Sequence, residues 1–344
     1  MSSRAVDLLE KVLAGTDLTE AESASILRDM AGGDLAPPLA GGLLIALRAK
    51  GEVAEEIRGF AQAMRELAIR PSIPEGEAYV DVVGTGGDGS GSLNLSTGSA
   101  LLAAACGAKV LKHGNRSISS RSGSADVLKA LGLPIPLDER QAAACLEQLG
   151  FTFLFAPHFH PAMKAIAPVR VALGVRTMFN ILGPLANPAT PPFHVIGAFS
   201  EPMAELMAHT LCGMDAERGF VVHGAPGWDE ATPVGPFLCF DVRPDSVERT
   251  VRDPADYGLE RCTAEDLEGG EPEENARRLR DALCGGDSLA HRDALVLGAA
   301  LALEVTGAVG DLGSGVTRAR AALEDGVAGR FVGQLESVGM RLAE

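Results

Sequence analysis

The sequence predicts an α/β protein: a small N-terminal helical domain, then a large domain whose mostly parallel central sheet is covered by helices. Two observations carry this. Residues 1–70 read as helices alone, by apolar period and capping, whereas from residue 79 short apolar runs alternate with helical segments. A length of 344 residues, 46% of them hydrophobic, is enough for a large core and more than one domain.

Within the first 70 residues, "AVDLLEKVLAG" ends on Gly15, and "LTEAESASILRDMAGG" opens with Thr19 three residues before Glu22. That spacing is a capping box, which satisfies free amides of a first helical turn. Helices around "PLAGGLLIALRAKG" and "VAEEIRGFAQAMRELA" complete a four-helix unit. The two prolines and the glycine of "IRPSIPEGE" (69–77) favour turn or extended backbone and mark a boundary there. Beyond it, "YVDVV", "AKVLK", "FTFLF", "HVIGAF" and "GFVVHG" read as buried parallel strands. The chain returns to helices at "PEENARRLRDALCGG", "DALVLGAALALEV", "GVTRARAALEDG" and "FVGQLESVGMRLA". The second domain thus spans 75–344.

A formal net charge of −16 argues against a general nucleic-acid binder, because phosphate backbones are held by clustered Lys and Arg. No apolar stretch approaches the ~18–20 residues of a membrane span, and "MSSRAVDLLEKVL" lacks a signal-peptide core. The expectation is a cytoplasmic protein with neither membrane nor nucleic acid as partner. Six scattered cysteines (106, 145, 212, 239, 262, 284) form no CxxC pair, so they suggest reduced thiols.

The stretch "DVVGTGGDGSGSLNLSTGS" (81–99) puts six glycines after an apolar run. Gly84, Gly86 and Gly89 formally make GxGxxG, but the helix that fits begins only near Ser96, too late for a Rossmann turn. The following strand ends in "VLKHGNR", basic where a ribose-binding acid is expected. No GK[ST] follows, so it is no Walker loop. What remains is a glycine loop feeding a helix N-terminus capped by Asn94, Ser96 and Thr97, a place where backbone amides can close on a phosphate or diphosphate. A flexible surface loop is the alternative. Downstream, "KHGNRSISSRSGSADVLKALG" concentrates basic and hydroxyl side chains: residues 84–124 hold four Lys or Arg against one acid, Asp88. An acidic protein with an anionic substrate needs such a local basic pocket.

GTGGDG, NLST, KHGNRSISSRSGSADVLKALG and "GVRTMFNILGPLANP" (174–188), in this order, resemble the anthranilate phosphoribosyltransferase family over nearly the whole chain. The resemblance implies transfer of the 5-phosphoribosyl group of phosphoribosyl pyrophosphate (PRPP) to the amine of anthranilate. It implies PRPP binding by Gly84, Gly87, Asp88, Ser92, Asn94, Leu95, Ser96 and Thr97. Lys112, His113, Gly114, Asn115, Arg116, Ser117, Ile118, Ser119, Ser120 and Ser124 would close around ribose and phosphate. It places Mg²⁺, two ions per site, on Ser96, Asp229 and Glu230, although "WDE" read alone is an acidic turn. Anthranilate would meet Gly84, Asn115 and Arg170, a guanidinium fork being suited to a carboxylate. The same resemblance implies a homodimer through the N-terminal helices, which helices from about residues 161–185 would join.

Five positions depart from the family pattern: Val171 and Ala172 where an arginine and a glutamate are common, Gly298 where an asparagine is usual, and Pro226 and Trp228, unusual residues in "APGWDE". They make the acceptor the softer half of the assignment. His158 and His160 are read as structural, and no general base is assigned. The competing readings are a pyrimidine-nucleoside phosphorylase-like enzyme, a phosphoribosyltransferase with another aromatic acceptor, and a non-catalytic PRPP or nucleotide sensor.

Overall fold

Four helices open the chain: α1 (Ser3–Leu13), α2 (Glu20–Gly32), α3 (Pro37–Lys50) and α4 (Ala54–Glu66). The computed structural model describes residues 3–116 and 121–343. The capping box opens α2 as expected: Glu22 N–H donates to Thr19 Oγ1 at 3.2 Å and Thr19 N–H to Glu22 Oε2 at 2.8 Å. Leu27, Leu43, Leu47 and Phe60 are fully buried between these helices.

The second part begins with β1 (Tyr79–Gly84), α5 (Leu95–Ala105), β2 (Lys109–Gly114), α6 (Ser124–Ala130), α7 (Glu139–Leu149) and β3 (Phe151–Phe155). Three helices follow, α8 (Ala156–Phe159), α9 (Met163–Leu173) and α10 (Phe179–Leu182). Ile166 of α9 and Phe179, Ile181 and Leu182 of α10 are buried in the same apolar cluster as the N-terminal helices, with α9 against α2 and α3. The chain re-enters the sheet with β4 (Phe193–Gly197), α11 (Glu201–Cys212) and β5 (Arg218–His223).

All five expected strands form, and they are parallel, in the order β3-β2-β1-β4-β5. Each apolar run is buried on both faces between helices, so its β-branched and aromatic residues need no alternation. The chain steps outward from β1 through β2 to β3, then crosses to β4 on the other side of β1. Open α/β sheets bind ligands at such a switch point, beyond the carboxyl ends of the strands. Here the switch point lies where Gly84 pairs with Gly197.

The hairpin β6 (Phe237–Arg243) and β7 (Ser246–Arg252) extends the sheet antiparallel and was not among the expected strands. Its signal was present, since "FLCFDVR" and "SVERTVR" flank a two-residue Pro244-Asp245 turn. The remaining helices, α12 (Pro272–Leu283), α13 (Leu289–Val305), α14 (Leu312–Glu324) and α15 (Val327–Leu342), cover the face that carries α5. The crossing of α13 on α5 is close enough that a Cβ at Gly298 would overlap Ser99 Oγ. Gly298 therefore seats the helix whose first turn enters the site. All six cysteines are free thiols, and no helix among the described residues is long and apolar enough to cross a membrane.

Candidate active site

β1 delivers Gly84 to the switch point and runs straight into the glycine loop. Gly86 and Gly87 take φ of 69° and 75°, the left-handed region where a side chain is strained. The far end of the loop is stitched to residues 267–269: Leu93 N–H donates to Leu267 O at 2.9 Å, and Gly269 N–H to Gly91 O at 2.8 Å. Ser92 bridges Glu268 there. Asp88 Oδ1 accepts the Ser90 amide at 3.0 Å, and Leu95, buried, anchors the first turn of α5.

Asn94 departs from expectation. It precedes α5, but its side chain makes no cap. Its Nδ2 donates to Ser122 O at 3.1 Å and its Oδ1 accepts Asn275 Nδ2 at 2.9 Å, so the residue ties the loop to its neighbours and leaves the helix amides available. Asn275 also accepts the Gly270 amide at 2.6 Å. Sequence reading missed it; an isolated asparagine in "PEENARRL" carries no signal.

After β5, a turn closed by the Trp228 amide on Gly224 O at 2.9 Å brings Asp229 and Glu230 over the loop. Trp228, buried in the main core, is its anchor. Asp229 passes so close to the ends of β1 and β4 that a Cβ on Gly84 or on Gly197 would overlap it. Gly86 N–H donates to Asp229 Oδ2 at 2.5 Å, and Ser96 N–H donates to Glu230 Oε1 at 3.1 Å. Asp229 N–H in turn donates to Asp88 Oδ2 at 3.3 Å. Internal carboxylates thus already occupy one amide of the glycine loop and one of the first turn of α5.

This crowding has an electrostatic cost. Burial, then Glu230 and Asp88, push Asp229 well above the usual carboxylate range. Burial raises Glu230 to about 7 against the opposing pull of Lys112, with Asp88 adding to the rise. Hard oxygen donors gathered under mutual repulsion fit a divalent cation. Among the described residues no three His, Cys, Asp or Glu side chains are placed to hold an ion by themselves. A cation here would complete its shell from phosphate oxygens and water, as Mg²⁺ commonly does.

The basic run splits between the faces of β2. Lys112, 1% exposed, donates to Val82 O at 2.6 Å and Ser96 Oγ at 3.2 Å, under the loop and toward the carboxylates; burial lowers its pKa against the pull of Asp81, Glu230 and Asp229. His113 points the other way, with Nδ1 3.0 Å from Gly183 O and its ring 5.1 Å from that of His160. Gly114 sits against the Phe153 ring. Asn115 bridges β2 to α6, its carbonyl accepting the Ala125 amide at 3.3 Å. Arg116 lies 3.7 Å from Asp126 and over Phe155. Thr97 Oγ1 donates to Ser124 Oγ at 3.0 Å, joining the first turns of α5 and α6. Ser117, Ile118, Ser119 and Ser120 lie outside the described residues.

Arg170, near the end of α9, has its guanidinium 5.2 Å over the Phe179 ring, and that guanidinium makes no hydrogen bond or ion pair with any described residue. A half-buried arginine without an acid is a ready carboxylate site. Val171, beside it, is 80% exposed. His158 pairs with Glu139 at 3.2 Å and His160 is buried, as suits structural roles.

A helical bundle joined to an α/β sheet, with glycine-loop amides and two carboxylates meeting at the switch point, is the architecture of the glycosyl transferase class to which the chain's two parts match. Residues 6–68 match the helical bundle domain of the glycosyl transferase family, and residues 76–329 its a/b domain. The anthranilate phosphoribosyltransferase of Desulforudis audaxviator is 44% identical over 323 residues, 94% of this chain and 92% of that one. The crystal structure of anthranilate phosphoribosyltransferase from Thermus thermophilus superposes with a TM-score of 0.91 at 42% identity, covering 97% of this chain and 99% of that one. The Saccharomyces cerevisiae enzyme in complex with PRPP and Mg superposes at 0.88 with 25% identity, covering 99% of each chain. The chain belongs to the anthranilate phosphoribosyltransferase family.

Proposed function

We propose that the chain transfers the 5-phosphoribosyl group of PRPP to the amine of anthranilate, releasing pyrophosphate. The observation that carries this is the meeting of Asp229 and Glu230 with the Gly86 and Ser96 amides at the switch point, one place that supplies both anion donors and cation ligands. PRPP, a diphosphate needing a divalent ion, uses both.

On binding, the diphosphate takes the Gly86 and Ser96 amides, and Asp229 and Glu230 turn to the cation. Two Mg²⁺ ions, held by Ser96, Asp229 and Glu230, would neutralise charge that grows on the departing pyrophosphate. The glycine-loop amides add preorganised donors to the same oxygens, and Lys112 holds Ser96 Oγ in place. Arg170 binds the acceptor carboxylate and directs its amine at the ribosyl carbon. An aromatic amine is neutral and nucleophilic at pH 7, so attack starts without a strong base.

Residues 161–185 work with helices α1–α4 as the acceptor-side domain, in keeping with their shared apolar cluster. Val6, Leu13 and Ile45, exposed on α1 and α3, favour a homodimer through this domain. Six free thiols suit a reducing compartment, in keeping with a reaction in the cytoplasm.

The test offers PRPP and Mg²⁺ with anthranilate, its aminobenzoate isomers and free nucleobases, and follows pyrophosphate. Release with anthranilate alone is expected. Release with a nucleobase alone would favour a phosphoribosyltransferase with another aromatic acceptor, and none at all would defeat the transferase.

A further inference from the structure

Arg176, in the loop between α9 and α10, falls within the "GVRTMFNILGPLANP" motif but received no role in the sequence analysis and has none in the chemistry above. It is exposed, yet it is held at three points. Its Nη2 donates to the Gly87 carbonyl. Its guanidinium carbon lies 4.8 Å from the centre of the Phe199 ring, two residues beyond β4. Its own carbonyl accepts Arg48 Nη1 from α3 at 2.6 Å. A continuous chain of contacts therefore runs from the N-terminal helices through Arg176 to the glycine loop.

We propose that Arg176 is a positioning residue for the donor loop, holding the Gly86–Gly87 turn in the shape that presents its amides to the diphosphate. The inference rests on the reading of that loop as the PRPP site. Three considerations support it. The turn has two successive left-handed residues and few ties of its own on this side, so an outside hydrogen bond to Gly87 O fixes the Gly87–Asp88 peptide, two peptides beyond the one that supplies the Gly86 amide. The bond has a charged donor, which makes it stronger than a neutral one. The Phe199 face and the Arg48 contact hold the side chain and backbone of Arg176 itself, so little ordering is left to the moment of binding. A Cβ on Gly87 would lie 3.0 Å from Arg176 Nη2, which gives that glycine a second reason to lack a side chain.

The contact is to one carbonyl oxygen through one nitrogen, and that distinguishes it from Arg170. A lysine can donate to a single carbonyl, whereas it cannot reproduce a two-pronged grip on a carboxylate. Arg176→Lys should therefore rescue what Arg176→Ala loses.

The experiment measures PRPP and acceptor KM separately for the wild type, Arg176→Ala, Arg176→Lys, Arg48→Ala and the Arg48→Ala/Arg176→Ala double variant. Amide hydrogen exchange of residues 84–93 is followed in the ligand-free proteins. Arg176→Ala should raise PRPP KM about 5- to 10-fold, the scale of one charge-assisted hydrogen bond at an exposed site, and leave acceptor KM within about twofold. It should speed exchange across the loop. Arg176→Lys should restore most of both, and the double variant should be no worse than Arg176→Ala, because the two residues act in series. Unchanged loop exchange in Arg176→Ala overturns the inference whatever the enzyme's substrates prove to be. Equal defects in the alanine and lysine variants overturn it too, by pointing to a guanidinium that grips substrate directly. A wild type that releases no pyrophosphate refutes the functional reading instead, and the exchange data then still decide whether Arg176 holds the loop.

Discussion

Asp229 lies across Gly84 so closely that only a glycine fits beneath it, and the same carboxylate accepts the Gly86 amide at 2.5 Å. The carboxylate proposed for the metal and the loop amide proposed for the diphosphate are thus in direct contact. Gly84→Ala would push Asp229 off the loop. Its expected effect is a loss of at least about 10-fold in kcat/KM for PRPP, with overpacking costing roughly 1–3 kcal/mol of stability. Steady-state kinetics with a denaturant titration checks both; unchanged kinetics would mean that the contact has no part in donor binding.

Asp229→Ala with Glu230→Ala should lower turnover at least ~10²-fold, the scale of losing one major electrostatic element, and abolish the response to magnesium. The isosteric Asp229→Asn/Glu230→Gln pair separates two roles. It removes the carboxylate charge that competes with the diphosphate for amides, so calorimetry in the presence of a chelator, above pH 7 where Glu230 is ionised, should find pyrophosphate bound more tightly than by the wild type. Weaker metal-free binding would contradict the exchange of carboxylates for diphosphate.

If Arg170 holds the acceptor carboxylate, Arg170→Ala should raise acceptor KM about 10- to 150-fold, from roughly 1.5–3 kcal/mol for a charge-assisted bidentate contact, and leave PRPP affinity nearly unchanged. Lysine should recover little. A parallel loss of both affinities would show that Arg170 acts on the fold.

Burial holds His113 at about 3, helped by neighbouring His160, and brings His160 to about 4 and His194 to about 3. In the unfolded chain each takes a proton near pH 6.5, so the unfolded state binds more protons below that pH and stability falls as pH falls. At pH 5 the penalty is about 2 kcal/mol for each histidine. Asp81, raised to about 6 by burial, works in the opposite sense, since its folded form binds the proton first. It returns about 1 kcal/mol between pH 7 and 5. Glu230, raised to about 7, and Asp229, also raised by burial, work in the same sense as Asp81 and cancel most of the histidine penalty. The Asp229→Asn/Glu230→Gln variant lacks that offset and should melt roughly 5–10 °C lower at pH 5 than at pH 7, whereas the wild type should change little. An equal loss in both proteins would mean that the two carboxylates take up no protons in the folded state.

The five parallel strands and the first four helices were legible because burial on two faces, or on one helical stripe, writes itself into short-range pattern. The glycine loop and the "WDE" carboxylates were legible as types of residue, but their meeting was not, since Gly86 and Asp229 are 143 positions apart. Asn94 shows the limit of local rules: it is a good capping residue in a capping position, and Ser122 and Asn275 claim its side chain. The β6–β7 hairpin was readable and went unread. Arg176 was legible only as part of the "GVRTMFNILGPLANP" motif and without a role, because its worth lies in three tertiary contacts.

The central claim is that one site takes PRPP on its amides and anthranilate on Arg170. It is tested most directly by incubating the wild-type protein with PRPP, Mg²⁺ and anthranilate, following phosphorus NMR and anthranilate fluorescence together. The account predicts one pyrophosphate and one N-ribosylated anthranilate for each PRPP consumed. Pyrophosphate formed while anthranilate stays intact, or no consumption of PRPP, would contradict it.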